Sequence, residues 1–533
     1  MTSRPSSPTP TPLAALTDVL AGLGETSRRV GGDTAASHEA TLTGVSLSSQ
    51  RVRPGDLYAA LPGARTHGIR FAGAAVAAGA VAVLTDEEGA ASAECPTSVP
   101  VVVVERPRTV LGAVSAAIYG NPARRLRTIG VTGTQGKTTT TRLLEGAMAG
   151  AGLSAAVIGT VGTRIAGRDV VSSLTTPEAP DLHGLLAVMV EEGVEVCAME
   201  VSSHALVMGR VDGVRFDVAV FLNLGRDHLD FHADEEEYFA AKAALFTAER
   251  ADRALVCTDD EHGRRLAGGV RIPVVTFALD DPAADWRADD IELGRERSTF
   301  TLHAPPGRLA APISCAVPLP GRFNVTNALA AIAAAGEAGL DVAAVAAALG
   351  TSAGVPGRLE RVDAGGDFLT VVDYAHKPDA AQAPTAALRP LAAAPSGAPG
   401  RVIVVIGAGG DRDSGKRPIM GAIAARLADV VIVTDDNPRS EEPAAIRAAV
   451  LGGAREAAGG ADPGGIAELL EVSDRREAIA TAIGIARAGD VVLIAGKGHE
   501  TGQEIDGVVH PFDDRVVAHE ALTALGSSAG GAR

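Results

Sequence analysis

The sequence predicts an α/β fold of three domains built on mostly parallel sheets, and three observations carry that expectation. Apolar, β-branched runs recur along the chain: RTIGVTG, SAAVIGTVG, VEVCAMEV, VRFDVAVFLNL, FLTVVDYAH, RVIVVIGAGGD, DVVIVTDD and DVVLIAGKG. Ala/Leu-rich helical stretches separate them, and strands alternating with helices pack as parallel sheets covered on both faces. Nearly every run ends in Gly, Asp, Asn, His or Lys, at the carboxyl ends of strands where this architecture binds ligands.

Taken in order, the start MTSRPSSPTPTP is Ser/Thr/Pro-rich and lacks an apolar core, so residues 1–12 read as a disordered tail rather than a signal peptide. Residues 1–107 form a first domain that contains GVSLSSQRVRPGDLYAALPG and a stretch read as helical, AGAAVAAGAVAVL. Residues 108–357 form a second domain carrying the glycine loop. Residues 358–533 form a third, opening at RLERVDAGGDFLTVVDYAH, with SGAPG near 396 as an internal loop. The length of 533 residues agrees with three domains at roughly 150 residues each.

Composition excludes several classes. A net charge of −17 and 3% aromatic content argue against a nucleic-acid surface, which needs a basic stripe and stacking rings. Cys95, Cys197, Cys257 and Cys315 lie far apart without CxxC spacing, so buried thiols are expected rather than a disulfide framework or cysteine metal site. No window approaches ~18 uninterrupted apolar residues, so no membrane span is expected, and the chain reads as cytoplasmic.

The strongest local signal is GVTGTQGKTTTTRLLEGAM. LRTIGV reads as a strand, Gly133, Thr134, Gln135 and Gly136 as a tight loop, and Lys137, Thr138 and Thr139 as the start of a helix with Leu144 and Met148 on one face. Glycines let backbone N–H groups approach phosphates, and the helix start adds its positive dipole end. Lys137 would neutralise the β- and γ-phosphates of ATP and the Thr138 hydroxyl would ligate Mg²⁺. The longer phosphate-loop pattern wants glycine where this chain has Val131, but the shorter GTQGKT form is intact.

Three further stretches could complete a metal–nucleotide site. Glu200 in MEVSSHAL sits at a strand end, where a buried acid needs a partner. NLGRDHLDFH offers Asn223, Asp227, His228 and Asp230, and YFAAKAALF offers Lys242. Taken alone, His228 could equally cap a loop, and a helical lysine such as Lys242 ordinarily lies on a solvated face.

The same motifs carry a resemblance. In order, GVTGTQGKTTTT, LTTPEAPDL, MEVSSHALV, NLGRDHLDFH, YFAAKAALF, LPGRFNVTNALAA, GVPGRLERV, DYAHKPDA, GAGGDRDSGKRPIM, TDDNPRSEEP and GKGHE resemble the Mur ligases of peptidoglycan synthesis over nearly the whole chain. The resemblance implies an N-terminal UDP-binding domain, a central ATPase domain and a C-terminal Rossmann-like domain that closes over the site. It implies an ATP-dependent ligase that joins diaminopimelate to UDP-N-acetylmuramoyl-L-alanyl-D-glutamate through an acyl phosphate.

Residue by residue, it implies Lys137 on the phosphates and Thr138, Glu200, His228 and a carbamylated Lys242 on Mg²⁺. A carbamate there turns a repelled ammonium into an anion. Asn324, Asn327, Arg358, Asp373 and His376 are implied for the nucleotide. Leu47, Ser49, Thr175, Thr176, Ser202 and Arg210 are implied for the nucleotide-sugar peptide, although Ser48, Met208 and ALPGARTHG depart from the family's usual forms.

Arg412, Asp436, Asn437, Pro438, Arg439, Gly496 and Glu500 are implied for diaminopimelate. The guanidinium of Arg439 would read a distal carboxylate that lysine lacks. The bland alternative is that Arg439 caps its loop against Glu441 or Glu442. Rival activities are a lysine-adding, D-alanyl-D-alanine-adding or folylpolyglutamate-type ligase, a nucleotide sensor without ligase activity, and a phosphate-loop motor.

Overall fold

The structure is a computed structural model that describes residues 4–32, 40–170, 174–228, 231–364, 367–393, 397–459 and 468–530, with backbone only at 379–380 and 527–530. It divides into two compact units: residues 1–287 with 304–310 and 329–348, and residues 288–303 with 311–328 and 349–533.

In the first unit, a five-stranded sheet runs in the order Arg28–Val30, Val101–Val103, Ala82–Thr85, Asp56–Ala59, Gly44–Ser46. All neighbours are parallel except the first pair. The stretch expected to be one helix, AGAAVAAGAVAVL, is instead the helix Ala72–Ala77 followed by the strand Ala82–Thr85. Gly79 at φ +110° breaks the helix, and the β-branched residues beyond it suit a buried strand.

The start of the chain also differs from expectation. Residues 4–12 lie against the fold. Arg4 donates to the Asp56 carboxylate (2.5 Å) and to the Val45 carbonyl (2.7 Å), the backbone N–H groups of Ser6 and Ser7 donate to Glu191, and Thr11–Pro12 pairs with Thr41–Leu42. Composition hides this because the segment is held by charge and main-chain bonds, not by an apolar face.

The second sheet of this unit is the one that positions the nucleotide loop. Parallel strands Ala155–Gly159, Val196–Glu200, Arg127–Thr132, Val218–Phe221, Ala254–Cys257 and Val274–Ala278 lie side by side in that order. The antiparallel strands Gly162–Ile165 and Arg168–Val170 extend one edge. Its core gathers Ile158, Met199, Phe216, Phe221 and Val256 with helical Leu182, Leu186 and Met189, all buried.

The second unit carries a sheet ordered Glu360–Arg361, Leu369–Asp373, Val491–Ala495, Val402–Ile406, Val430–Val433, Glu468–Glu471, parallel after the first pair. The two-residue side-chain period is visible in its cores. Val402, Val404 and Ile406 pack with Met420, Ala424 and Val450 on one face, while Ile403 and Val405 pack with Ile479, Ile483 and Val517 on the other. Each fully buried Val or Ile side chain is worth about 1.5–3 kcal/mol, so continuous apolar runs are what a doubly covered sheet demands. All eight runs read from the sequence as strands are strands.

Among the described residues, no helix is long and apolar enough to cross a membrane.

Candidate functional site

The register places Glu200 beside Val131 and Phe221 beside Thr132, so three adjacent parallel strands end level with one another. The glycine loop follows the middle strand. Gly136 adopts φ 85° and caps the helix Lys137–Gly150 without any side-chain bond, which leaves the first-turn N–H groups directed out of the helix. A Cβ at Gly133 would lie 3.0 Å from Leu222 Cβ and 3.3 Å from the Asn223 nitrogen, so only glycine fits there.

Asn223, grouped on sequence with the metal candidates, is a brace for this loop. Its Oδ1 accepts from the N–H groups of Thr134 (3.1 Å) and Gln135 (2.9 Å), and its Nδ2 donates to the Gln135 carbonyl (3.2 Å).

Two lysines meet at one carbonyl. Lys137 Nζ donates to Gly133 O (2.7 Å) and Thr134 O (3.0 Å), and Lys242 Nζ donates to the same Gly133 O (2.9 Å). Lys242, from the helix Glu235–Ala243, is not on a solvated face: it is 1% exposed, and its ammonium lies 4.3 Å from the Tyr238 ring centroid. A cation so deeply placed needs electrostatic compensation, which the ring face and the carbonyl supply in part.

Glu200 is also 1% exposed. Its carboxylate accepts from the backbone N–H (2.8 Å) and hydroxyl (3.1 Å) of Thr160 and makes no ion pair among the described residues. A carboxylate has about four acceptor sites, so capacity remains for a cation. Thr160, which sequence reading missed, also bonds Thr175 (3.1 Å), and Thr176 donates to the Glu200 carbonyl (2.8 Å) while accepting from the Ser202 N–H (3.3 Å). Arg210 donates to Glu178 (2.8 Å) and the Thr176 carbonyl (3.4 Å) and rests against Met208 Sδ (3.5 Å). The predicted residues Thr175, Thr176, Ser202 and Arg210 are thus one connected network around Glu200. Glu178, also missed, ties it to Arg108.

His228 follows Asp227 in a loop at φ 55°, with Nε2 3.4 Å from the Asp227 carboxylate. Asp230 lies outside the described residues. No three His, Cys, Asp or Glu side chains gather as a metal set among the described residues. Thr138, Glu200 and His228 offer the hard oxygen donors and imidazole that fit Mg²⁺, but they supply one carboxylate only, so a second anionic ligand would have to come from elsewhere. On the first sheet, Leu47 packs against the core and Ser49 opens the turn Ser49–Arg51. A cavity of about 310 Å³ beside this turn is lined by Arg4, Gln50, Arg51, Val52, Arg53 and Asp181.

In the second unit, Asn324 and Asn327 are buried on the helix Arg322–Glu337 and bonded to each other (3.2 Å). Asp373 ends the strand Leu369–Asp373 and accepts from the Leu359 N–H (2.7 Å). Burial pushes its carboxyl up to about 6, against the lowering effects of Arg358 and the Leu359 bond. Arg358 lies 5.0 Å from the Tyr374 ring. His376 donates from Nδ1 to the Tyr374 carbonyl (2.8 Å), and burial holds its ring down at about 4.

The TDDNPR segment follows the strand Val430–Val433 and is built into a cluster. Asn437 Nδ2 donates to Glu500 (3.0 Å), and its Oδ1 accepts from Lys497 Nζ (2.9 Å) and the Glu504 N–H (3.0 Å). Lys497, unnoticed in GKGHE, has no exposed side-chain surface and lies 3.5 Å from both Asp436 and Glu500. Gly496 at φ 127° keeps clear of Asp436, whose Oδ2 would stand 2.9 Å from an added Cβ.

Arg439 adopts φ 53° and pairs through Nε with Glu504 (3.2 Å) and through Nη1 with the Gly410 carbonyl (2.6 Å). It does not cap against Glu441 or Glu442: Glu441 belongs to Arg417, and Glu442 accepts from the Ala444 N–H. Asp435 is taken by Arg447 (2.5 Å). Arg412 is exposed on the loop after Val402–Ile406 and makes no bond to this cluster. These partners lie up to 67 positions apart in sequence, and only the sheet order brings them together.

The glycine loop, the open helix end and the two lysines that meet at the Gly133 carbonyl define a phosphate-handling α/β protein with its site at strand ends. Comparison with known proteins narrows that class, for the chain belongs to the Mur ligase family. Three family models match: "Mur ligase family, catalytic domain" at residues 41–119, "Mur ligase middle domain" at 131–335 and "Mur ligase, glutamate ligase domain" at 357–498. The chain is similar to the UDP-N-acetylmuramoyl-L-alanyl-D-glutamate–2,6-diaminopimelate ligase of Streptomyces avermitilis, 50% identical over 97% of this chain and 98% of that one. It is 51% identical to the protein of the same name from Streptomyces coelicolor over the same shares. A solved structure of a ligase of that name superposes with a TM-score of 0.64 at 35% identity, covering 91% of this chain and 96% of that one.

Proposed function

We infer that this protein is the ATP-dependent ligase that adds diaminopimelate to UDP-N-acetylmuramoyl-L-alanyl-D-glutamate in peptidoglycan synthesis, and that it works in the cytoplasm. The observation that carries the chemistry is the convergence of Lys137 and Lys242 on the Gly133 carbonyl, beside a helix end left open for phosphate. We propose three functional domains, 1–107, 108–357 and 358–533, that serve the uridine nucleotide, ATP and the incoming amino acid.

A carboxylate is a poor acyl donor because oxide would have to leave. The D-glutamate side-chain carboxylate attacks the γ-phosphorus of ATP, ADP departs, and an acyl phosphate forms. The amine of the incoming amino acid then attacks the acyl carbon, inorganic phosphate leaves with the C–O bond pair, and the amine proton passes to solvent. Lys137 and the first-turn N–H groups hold the phosphates, and positioning with charge neutralisation supplies the catalysis without a protein nucleophile.

Mg²⁺, held by Thr138, Glu200 and His228, would offset charge on the transferred phosphoryl group. In this reading a carbamate on Lys242, formed from the amine and CO₂ with loss of a proton, would supply the second anionic ligand that Thr138, Glu200 and His228 do not. Thr160 orients Glu200. Thr175, Thr176, Ser202 and Arg210 hold the nucleotide-sugar peptide together with Leu47 and Ser49. Asn324, Asn327, Arg358, Asp373 and His376 serve the nucleotide. Asn437, Arg439, Gly496 and Glu500 read the amino acid, with Asp436 and Pro438 shaping their loop and Arg412 reaching in from its own.

The test is ligation by the purified protein with ATP and the UDP-muramoyl dipeptide, with meso-diaminopimelate, LL-diaminopimelate and L-lysine offered in parallel. Phosphate release and a tripeptide product with a diaminopimelate isomer are expected. Turnover with lysine at equal kcat/KM would remove the assignment of the amino acid.

A further inference from the structure

Arg439 carries the carboxylate recognition in the reading above, yet in this structure it is already paired. Its Nε donates to Glu504 Oε2 at 3.2 Å, from the hairpin Gly502–Ile505 and Val508–Pro511. The hairpin also fixes the Arg439 backbone. The Arg439 N–H donates to the Glu504 carbonyl (3.0 Å), the Asp506 N–H donates to the Arg439 carbonyl (2.7 Å), and the Glu504 N–H donates to Asn437 Oδ1 (3.0 Å). Nη1 is anchored separately on the Gly410 carbonyl at 2.6 Å. Among the described residues, Nη2 makes no hydrogen bond.

These bonds separate two roles. The main-chain bonds and the Gly410 contact hold Arg439 in its left-handed conformation whatever side chain stands at 504. The Glu504 carboxylate, 39% exposed, is therefore not needed to place the arginine, and what it adds is a negative charge on the guanidinium. An arginine offers five donors, so a second carboxylate can be received at Nη2, but then two like charges share one cation.

We propose that Glu504 is a built-in counter-carboxylate that occupies Arg439 until the distal carboxylate of the incoming amino acid arrives, and that it tunes the choice between amino acids with and without that group. It acts through Arg439 and is a positioning residue. The proposal rests on the reading of Arg439 as the carboxylate reader. It also changes the source of discrimination. Without Glu504, an amino acid lacking the distal carboxylate would leave the half-buried guanidinium with only the Gly410 carbonyl as partner, which costs binding energy. With Glu504 in place, that penalty is softened, and the carboxylate-bearing substrate must compete for its partner.

The experiment is steady-state kinetics on full-length Glu504→Gln and Glu504→Ala, with KM measured separately for diaminopimelate, L-lysine and ATP at saturating UDP-muramoyl dipeptide. Both variants should lower KM for diaminopimelate by about three-fold, the size of one partly exposed charge pair, with kcat and the KM for ATP unchanged. The ratio of kcat/KM for diaminopimelate over lysine should widen. A raised or unchanged KM for diaminopimelate, or a narrowed ratio, overturns the proposal. Arg439→Ala separates the two failures: if it raises KM for diaminopimelate while the Glu504 variants do not lower it, only the role of Glu504 falls. If Arg439→Ala leaves that KM unchanged, the reading of Arg439 falls and the proposal falls with it.

Discussion

The phosphate loop and the TDDNPR cluster both concentrate cations at strand ends, but the partners described for those cations differ. The bonds described for Lys137 and Lys242 end on the neutral main-chain carbonyls of Gly133 and Thr134. In the TDDNPR cluster each cation meets carboxylates: Arg439 meets Glu504, Lys497 meets Asp436 and Glu500, Arg447 meets Asp435, and Arg417 meets Glu441. The difference follows the charge of what each place receives. A nucleoside triphosphate brings several negative charges, so its seat needs cations close to the loop. A diamino diacid is close to neutral overall, so its seat is balanced in advance and selects by geometry.

The sharpest way to break this contrast is to remove the buried cation from the first place. Lys242→Met keeps the volume of the side chain but deletes the ammonium and any carbamate made from it. Ligation kcat should fall on the order of 10³-fold or more, the usual cost of losing a charge-stabilising group at a phosphoryl-transfer site. Thermal denaturation would confirm a folded protein. Activity within ten-fold of the parent would show that Lys242 is a core lysine and nothing more.

The balanced cluster makes a different prediction. Lys497 has no exposed side-chain surface and stands between Asp436 and Glu500. Lys497→Met removes the cation that lies 3.5 Å from both Asp436 and Glu500, and breaking a buried pair costs about 3–5 kcal/mol. Urea denaturation should show a loss of about that size, and KM for diaminopimelate should rise while KM for ATP holds. A stability change below about 1 kcal/mol would mean that the cluster is hydrated and not balanced from within.

Which parts of this were legible in the sequence has a physical explanation. The strands were readable because a doubly covered sheet forces continuous apolar runs, and the loop was readable because Gly133, Gly136 and Lys137 are adjacent in the chain. Asn437 and Arg439 stood out for the same reason. Their partners did not. Thr160 reaches Glu200 across 40 positions and Glu504 reaches Arg439 across 65, and those distances collapse only through the strand order. Lys242, taken alone, looked like an ordinary solvated lysine and Lys497 went unnoticed, because burial is a property of packing. The arm at Arg4 was misread because a polar segment can be held by charge and main-chain bonds that leave no apolar period.

One carboxylate in the second unit departs from the balanced pattern and gives the finest test of it. Asp373 is buried, it accepts a hydrogen bond from the Leu359 N–H, and burial raises its carboxyl from the ordinary 3.8 to about 6. A raised acid favours the folded state most below pH 3.8, where both states are protonated, and that contribution is lost as pH rises through about 6. Asp373→Asn keeps an acceptor for Leu359 and removes the titration. The variant should therefore be more stable than the parent at neutral pH by about 3 kcal/mol, since each tenfold change in proton affinity between the folded and unfolded chain is worth about 1.4 kcal/mol. About half of that gain should remain at pH 5, and the two proteins should converge near pH 4. Under the nucleotide assignment, the same variant should raise KM for ATP, so stability and activity would move in opposite directions. A pH-independent difference between the two denaturation curves would show that the Asp373 carboxyl does not titrate differently in the folded and unfolded chain, and that Arg358 and the Leu359 bond offset its burial.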